Sequence, residues 1–276
     1  MDKSSHHVIY QDRASIGLRP KIVWYNLLIT LLSVFSCVSC GTNLKDQQVK
    51  NAKYHHRLAY GHFIENHDSE AALQEILKSL KLNPNVPEVH MLAGLIYTGR
   101  RDLLKALKHY RTAIELKPDY FEAKNNLGTV YLSLNMWEQA INVFNELITR
   151  DEYRTPAMGY NNLGWAHHKL NQDQVALKHF ITATQLGPRL CPPHNNVGML
   201  YLKRGEIDKA KRSLKTAIKR CPQYAEPYLH LGRLYAQSGQ AHQAITQWQT
   251  CQKLAPENEI GLRCESLSEQ IKSEVP

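Results

Sequence analysis

Five glycines, Gly94, Gly128, Gly164, Gly198 and Gly232, recur along the chain at steps of 34, 36, 34 and 34 residues. A fixed period in this range means that one supersecondary unit is copied, and nothing else in the sequence limits the fold as tightly. Twelve residues after each glycine stands an alanine: Ala106, Ala140, Ala176, Ala210 and Ala244. Three residues after it stands Tyr97, Tyr131, Tyr201 or Tyr235, with His167 in the remaining copy. Prolines follow 24 residues after the glycine at Pro118, Pro188, Pro222 and Pro256. A weaker first copy keeps the frame, with Tyr60 in the glycine's place and Phe63, Ala72 and Pro84 in register.

Each position has a packing reason. Small residues on both helices of a hairpin let the helices approach, and the bulky Tyr and Phe positions fill the gap between hairpins. Proline ends the second helix, because it forces the residue before it out of the helical region. Every hairpin is left with an apolar face that only a neighbouring hairpin can cover, so the units stack in one dimension. The reading is an all-α fold of six repeats at 53–86, 87–120, 121–154, 157–190, 191–224 and 225–258. Thr155 and Pro156 are two extra residues after the third repeat, where Asp151-Glu-Tyr-Arg replaces the proline stop. Residues 259–276 read as a capping helix, apolar along Leu262, Leu267 and Ile271 and polar along Glu265, Glu269 and Lys272. The pattern resembles the tetratricopeptide repeat, which implies a right-handed superhelix whose first helices line a concave groove.

The N-terminus reads as a targeting segment. Arg19 and Lys21 precede an apolar run from Ile22 to Ser36. The run is shorter than the roughly 20 residues that span a hydrocarbon core, and it suits the core of a signal peptide. It ends in Cys37-Val-Ser-Cys40-Gly41, which resembles a bacterial lipobox. Cys37 has Val34 and Ser36 upstream in the usual places, whereas Cys40 has Ser39 but follows Cys37 at the aliphatic position. Thiol count favours Cys40: lipidating it and removing Cys37 leaves an even set in the exported chain, while lipidating Cys37 strands Cys40. The Cys37-x-x-Cys40 spacing also fits a redox or metal pair, although it falls at the end of a signal segment. The organisation expected is a lipoprotein signal peptide over 1–39, a lipid-anchored polar tether over 40–52, the repeats over 53–258 and the cap over 259–276. Met1 to Leu18 carries no sign of a domain.

Charge excludes little. The formal net charge is +9; Lys3, Arg13, Arg19 and Lys21 against Asp2 and Asp12 place +2 of it in the first 39 residues, leaving +7 spread along helices. No basic patch interleaved with aromatics argues for nucleic acid. No metalloprotease, phosphate-loop, dinucleotide or nucleophile-elbow motif is present, so the chain reads as a non-enzyme without cofactor, metal or small-molecule substrate. His55-His56 and His167-His168 are adjacent pairs that diverge around a helix.

Four cysteines remain. Cys191 and Cys221 occupy positions 1 and 31 of the fifth repeat, so the antiparallel hairpin brings them side by side, within disulfide reach if the Cα atoms approach to about 7 Å. Cys251 lies where a second helix meets the next unit, and Cys264 lies on that unit, so a second bridge would pin the cap. The bland alternative is four buried thiols, which export disfavours.

A further pattern is Asn-Asn before the glycine: Asn125-Asn126, Asn161-Asn162 and Asn195-Asn196. If the first helices line a groove, Asn126, Asn162 and Asn196 form a ladder of amides that can bond an extended peptide backbone. Trp165, Met199 and Arg233 would then add apolar and charged contacts. Equally, Asn is a framework residue that stabilises the helices themselves.

With the lipobox and the cap, the segments Asn125-Asn-Leu-Gly-Thr-Val-Tyr131 and Gly159-Tyr-Asn-Asn-Leu-Gly-Trp165 and the Cys191/Cys221 pair resemble the PilF/Tgl-type pilotins of type IV pili. The two extra residues near Tyr153-Arg-Thr-Pro156 share that likeness, while Cys251/Cys264 and the long N-terminal extension depart from it. The resemblance implies an outer-membrane lipoprotein facing the periplasm that binds a secretin subunit and promotes secretin multimers. A lipid-anchored adaptor for cell-wall or other envelope complexes is the other class that these features allow.

Overall fold

The structure, a computed structural model, describes residues 43–274. The signal segment and both candidate lipid-bearing cysteines, Cys37 and Cys40, lie outside the described residues. Within them the chain is all α, with no strand. Helix α1 covers residues 43–64 and pairs with α2 (Ser69–Leu82). The following hairpins are α3/α4 (Pro87–Gly99, Leu103–Leu116), α5/α6 (Phe121–Ser133, Trp137–Ile148), α7/α8 (Pro156–Lys169, Asp173–Leu186), α9/α10 (Cys191–Lys203, Ile207–Arg220) and α11/α12 (Glu226–Gln237, Ala241–Leu254). Helix α13 (Glu259–Glu274) closes the stack. Residues 43–52, expected as part of a polar tether, are helical and run without a break into the first repeat.

The helices stop where the sequence says they must. Lys117, Gly187, Cys221 and Ala255 each precede a proline and leave the helical region, and the helix before each ends one residue earlier. The two helices of each hairpin are joined by a turn with one residue at positive φ, seven positions after the frame glycine or, in the first repeat, after Tyr60: His67, Arg101, Asn135, Asn171, Gly205 and Gly239. That left-handed residue is a feature of the repeat that the glycine, alanine and proline spacing did not reveal.

The frame glycines make room for a large side chain of their own hairpin. A Cβ on Gly128 would lie 2.6 Å from the Phe144 ring, and one on Gly164 would lie 2.6 Å from Phe180. The equivalent partners are Tyr110, Leu214 and Trp248, all sixteen residues after the glycine and all buried. The alanines at Ala106, Ala140, Ala176, Ala210 and Ala244 are fully buried beside them. Hydrophobic clusters then run across consecutive hairpins, for example from Tyr97 through Phe144 to Leu163, with Trp248 and Cys251 joined to Leu267 and Ile271 of the cap. Leu262 is not on the cap's apolar side: it is 55% exposed, and Cys264 and Ser268 are buried instead. The core is a chain of such local clusters, each covering its neighbour.

Candidate functional site

The first helices α3, α5, α7, α9 and α11 form one row, and α13 extends it beside α11. Two cavities open along this row. The larger, about 860 Å³, is lined by Met91, Phe121, Glu122, Asn125, Asn126, Met158 and the 151–155 linker. The other, about 430 Å³, is lined by Trp165 and His168 of α7, Asn195, Asn196 and Met199 of α9, Glu226, Leu229, His230 and Arg233 of α11, and Ile260 and Arg263 of α13. Four of the expected groove residues, Trp165, Met199, Asn196 and Arg233, therefore meet in one cavity. Asn126 lines the other. Asn162, partly buried on α7, lines neither.

The asparagines are engaged with the scaffold. Asn196 donates through Nδ2 to Asn161 Oδ1 at 3.0 Å, tying α9 to α7. At the same frame positions Asn126 Nδ2 lies 3.7 Å from Met91 Sδ, linking α5 to α3. Asn162 should then reach Asn125, but Asn125 Oδ1 already accepts the Tyr153 hydroxyl at 2.7 Å. Tyr153 comes from the lengthened third-to-fourth linker, is buried, and packs against Gly159, where a Cβ would stand 3.0 Å from its ring. Burial raises its phenol pKa and keeps the hydroxyl a donor. The lengthened linker thus places Tyr153 on the acceptor that the regular amide ladder would use and fills the gap with its aromatic ring.

Electrostatics differ along the row. The larger cavity carries Glu122, Asp151 and Glu152 against Arg154. In the smaller one Lys203 pairs with Asp173 at 2.6 Å, and His168 shares the same carboxylate at 2.6 Å. Glu226 accepts from Asn195 Nδ2 at 3.1 Å and from the Tyr224 hydroxyl. Arg233 is held below its usual pKa by partial burial and by Arg263. His230 is pushed down to about 4 by desolvation and by both arginines, so it is neutral at ordinary pH. Trp165 carries the Lys169 ammonium 4.9 Å from a ring centroid.

Two disulfides frame this end. Cys191–Cys221 joins the start of α9 to the residue after α10, with Cα atoms 6.2 Å apart. Cys251–Cys264 joins α12 to α13, with Cα atoms 6.1 Å apart, and so fixes the helix that carries Arg263. Sequence reasoning missed Arg263, Ile260 and His230. Continuing the 34-residue frame past Gly232 would have found the first: Arg263 stands where a seventh repeat would align it with Asn125, Asn161, Asn195 and Leu229. Among the described residues no three His, Cys, Asp or Glu side chains gather to hold a metal ion, and no helix is long and apolar enough to cross a membrane.

Comparison with known proteins agrees with this architecture. A family model described as TPR repeat matches residues 102–135 and 198–239, and one described as tetratricopeptide repeat matches 121–153 and 225–258. Superkiller protein 3 of Schizosaccharomyces pombe is 25% identical over 178 residues, 59% of this chain but 12% of that protein's length. PilF of Pseudomonas aeruginosa superposes with a TM-score of 0.66 at 17% identity, covering 80% of this chain and 99% of that one. PilW, a widely conserved type IV pilus biogenesis factor, superposes with a TM-score of 0.67 at 21% identity, covering 77% and 97%. MamA of Desulfovibrio magneticus RS-1 has the same kind of fold, with a TM-score of 0.56 at 19% identity over 62% of this chain and 94% of that one. At these identities the likeness is one of fold.

Proposed function

We propose that this tetratricopeptide-type superhelix is a lipid-anchored outer-membrane protein that holds a secretin subunit along its first-helix row and promotes secretin multimers for type IV pili. The observation that carries the binding part is the 430 Å³ cavity, where Trp165, Met199 and Arg233 from three successive repeats meet on one face. Near-complete coverage of PilF and PilW supports the pilus part, PilW being a type IV pilus biogenesis factor. The two disulfides suit an oxidising compartment. Cys40, or Cys37, carries the lipid in this reading, and Gly41 after Cys40 in place of aspartate favours the outer membrane.

The test is deletion of the gene, followed by a count of heat-resistant secretin multimers. Complementation with the wild type should restore them, and with Trp165→Ala plus Met199→Ala should not, while circular dichroism of that variant stays helical. Normal multimers in the deletion strain would remove the secretin and leave an adaptor for another envelope complex. Metabolic lipid labelling that persists after Cys37 and Cys40 are both replaced by alanine would remove the anchor.

A further inference from the structure

We propose that the α7/α9/α11/α13 cavity takes an acidic side chain, preceded by an apolar one, from an extended segment of the partner protein, with the carboxylate held between Arg233 and Arg263. The inference rests on the reading of this row as a binding surface and adds the chemistry of what it binds.

Charge complementarity carries it. Three lysine or arginine side chains line the cavity, and one of them, Lys203, is neutralised by Asp173. Arg233 and Arg263 have no ion pair or hydrogen bond among the described residues, although both line the same cavity and each lies within the other's field. Glu226, the one carboxylate of the lining, is already bonded to Asn195 and Tyr224 and lies a turn and more before Arg233 on α11. Two guanidinium groups of like charge beside one cavity are repulsive when it is empty and complementary to a carboxylate when it is filled. His230 is neutral beside them and leaves the balance to the arginines.

One further feature fits a peptide: Trp165, Met199, Leu229 and Ile260 give the same cavity an apolar wall for a neighbouring side chain.

The experiment is an array of C-terminally amidated peptides, Gly-Ser-X-Z-Ser-Gly, with X each apolar residue in turn and Z Asp, Glu, Asn or Gln. Binding of the purified full chain is read by fluorescence, and the best acidic peptide is titrated by anisotropy. Some acidic peptides should bind about tenfold tighter or more than their amide counterparts, and added salt should erase the difference. Arg233→Gln and Arg263→Gln should each remove the preference while leaving the melting temperature unchanged. Equal binding of acid and amide peptides, no bound acidic peptide, or a preference that survives the double substitution would each overturn the proposal. Binding only to peptides with a free C-terminus would overturn it too, by assigning the arginines to a chain end. The two readings fail separately. Multimers lost in Trp165→Ala cells with no acid preference would leave the groove and remove this inference. An arginine-dependent acid preference with normal multimers in Trp165→Ala and Arg233→Gln cells would leave the acidic site and remove the secretin.

Discussion

The Tyr153 hydroxyl donates to the side-chain oxygen of Asn125, 2.7 Å away, across the gap between α5 and α7. This bond occupies the acceptor that the regular repeat would offer to Asn162, and it comes from the linker where the period lengthens from 34 to 36 residues. Tyr153→Phe should cost about 0.5–1.5 kcal/mol, the net worth of one hydrogen bond. Tyr153→Ala should cost about 3–5 kcal/mol, because the ring also fills the space against Gly159. Denaturant unfolding of the two variants checks both figures. Equal losses would mean that the ring contributes nothing beyond its hydroxyl.

The disulfides close loops of different length, with sequence separations of 30 and 13. In the chain-entropy account, they contribute about 3–4 and about 3 kcal/mol against the unfolded chain. Reduction should lower the melting temperature while far-ultraviolet dichroism at room temperature remains helical, since each hairpin still packs on its neighbours. With Cys251 and Cys264 both changed to alanine, amide exchange should rise first in α13, which is pinned only at the stack's end. Peptide mapping without reduction should link Cys191 to Cys221 and Cys251 to Cys264, and any other pairing contradicts the repeat register.

Arg101 holds φ at 62° in the α3/α4 turn, where two other repeats use glycine, Gly205 and Gly239. A side chain in this left-handed region costs about 1–2 kcal/mol, offset in part by glycine's greater freedom in the unfolded chain. Arg101→Gly should therefore raise stability by about 0.5–1 kcal/mol, and Arg101→Pro, which cannot adopt positive φ, should lower it sharply. Thermal melts of the pair decide the matter. A destabilised glycine variant would show that the exposed arginine makes a contribution that its geometry does not suggest.

His109 meets His90 ring to ring, with Nδ1 atoms 3.0 Å apart. His90 Nε2 donates to the Pro84 carbonyl at 2.8 Å, so in its neutral form its Nδ1 accepts from His109. Desolvation, and next the fields of His90 and Lys108, push the His109 pKa down from 6.5 to about 4. His230 is lowered to about 4 as well. A lowered histidine leaves the unfolded chain the better proton acceptor, so stability is full above pH 6.5 and falls as pH drops towards 4. Glu75 and Asp173, whose pKa values are themselves lowered from the carboxylate range, lose their contribution only further into acid. Melting temperature measured from pH 7 to pH 5 should decline, and His109→Gln with His230→Gln should flatten that decline. An unchanged slope would assign it to other groups.

The repeat was legible because its determinants are local. A proline ends a helix wherever it stands, and a frame of Gly, Ala and aromatic positions at fixed spacing records hairpin packing that each unit makes with itself and its neighbour. For the same reason the Cys191–Cys221 and Cys251–Cys264 pairs could be placed by counting along the frame. The aromatic row of Tyr110, Phe144, Phe180 and Trp248 was equally periodic and could have been read. What spacing could not supply was which side chains compete for one partner. Asn125, Asn126, Asn161, Asn162, Asn195 and Asn196 look alike in sequence, yet Tyr153 takes Asn125, Asn161 takes Asn196, and Glu226 takes Asn195. Those bonds join residues 28 to 35 positions apart and depend on ångström-scale offsets between helices, so the stacked fold, not the repeat frame, sets which groups remain free. Arg233 and Arg263 stand one repeat length less four residues apart, on different helices, and their shared cavity exists only after α13 has packed beside α11.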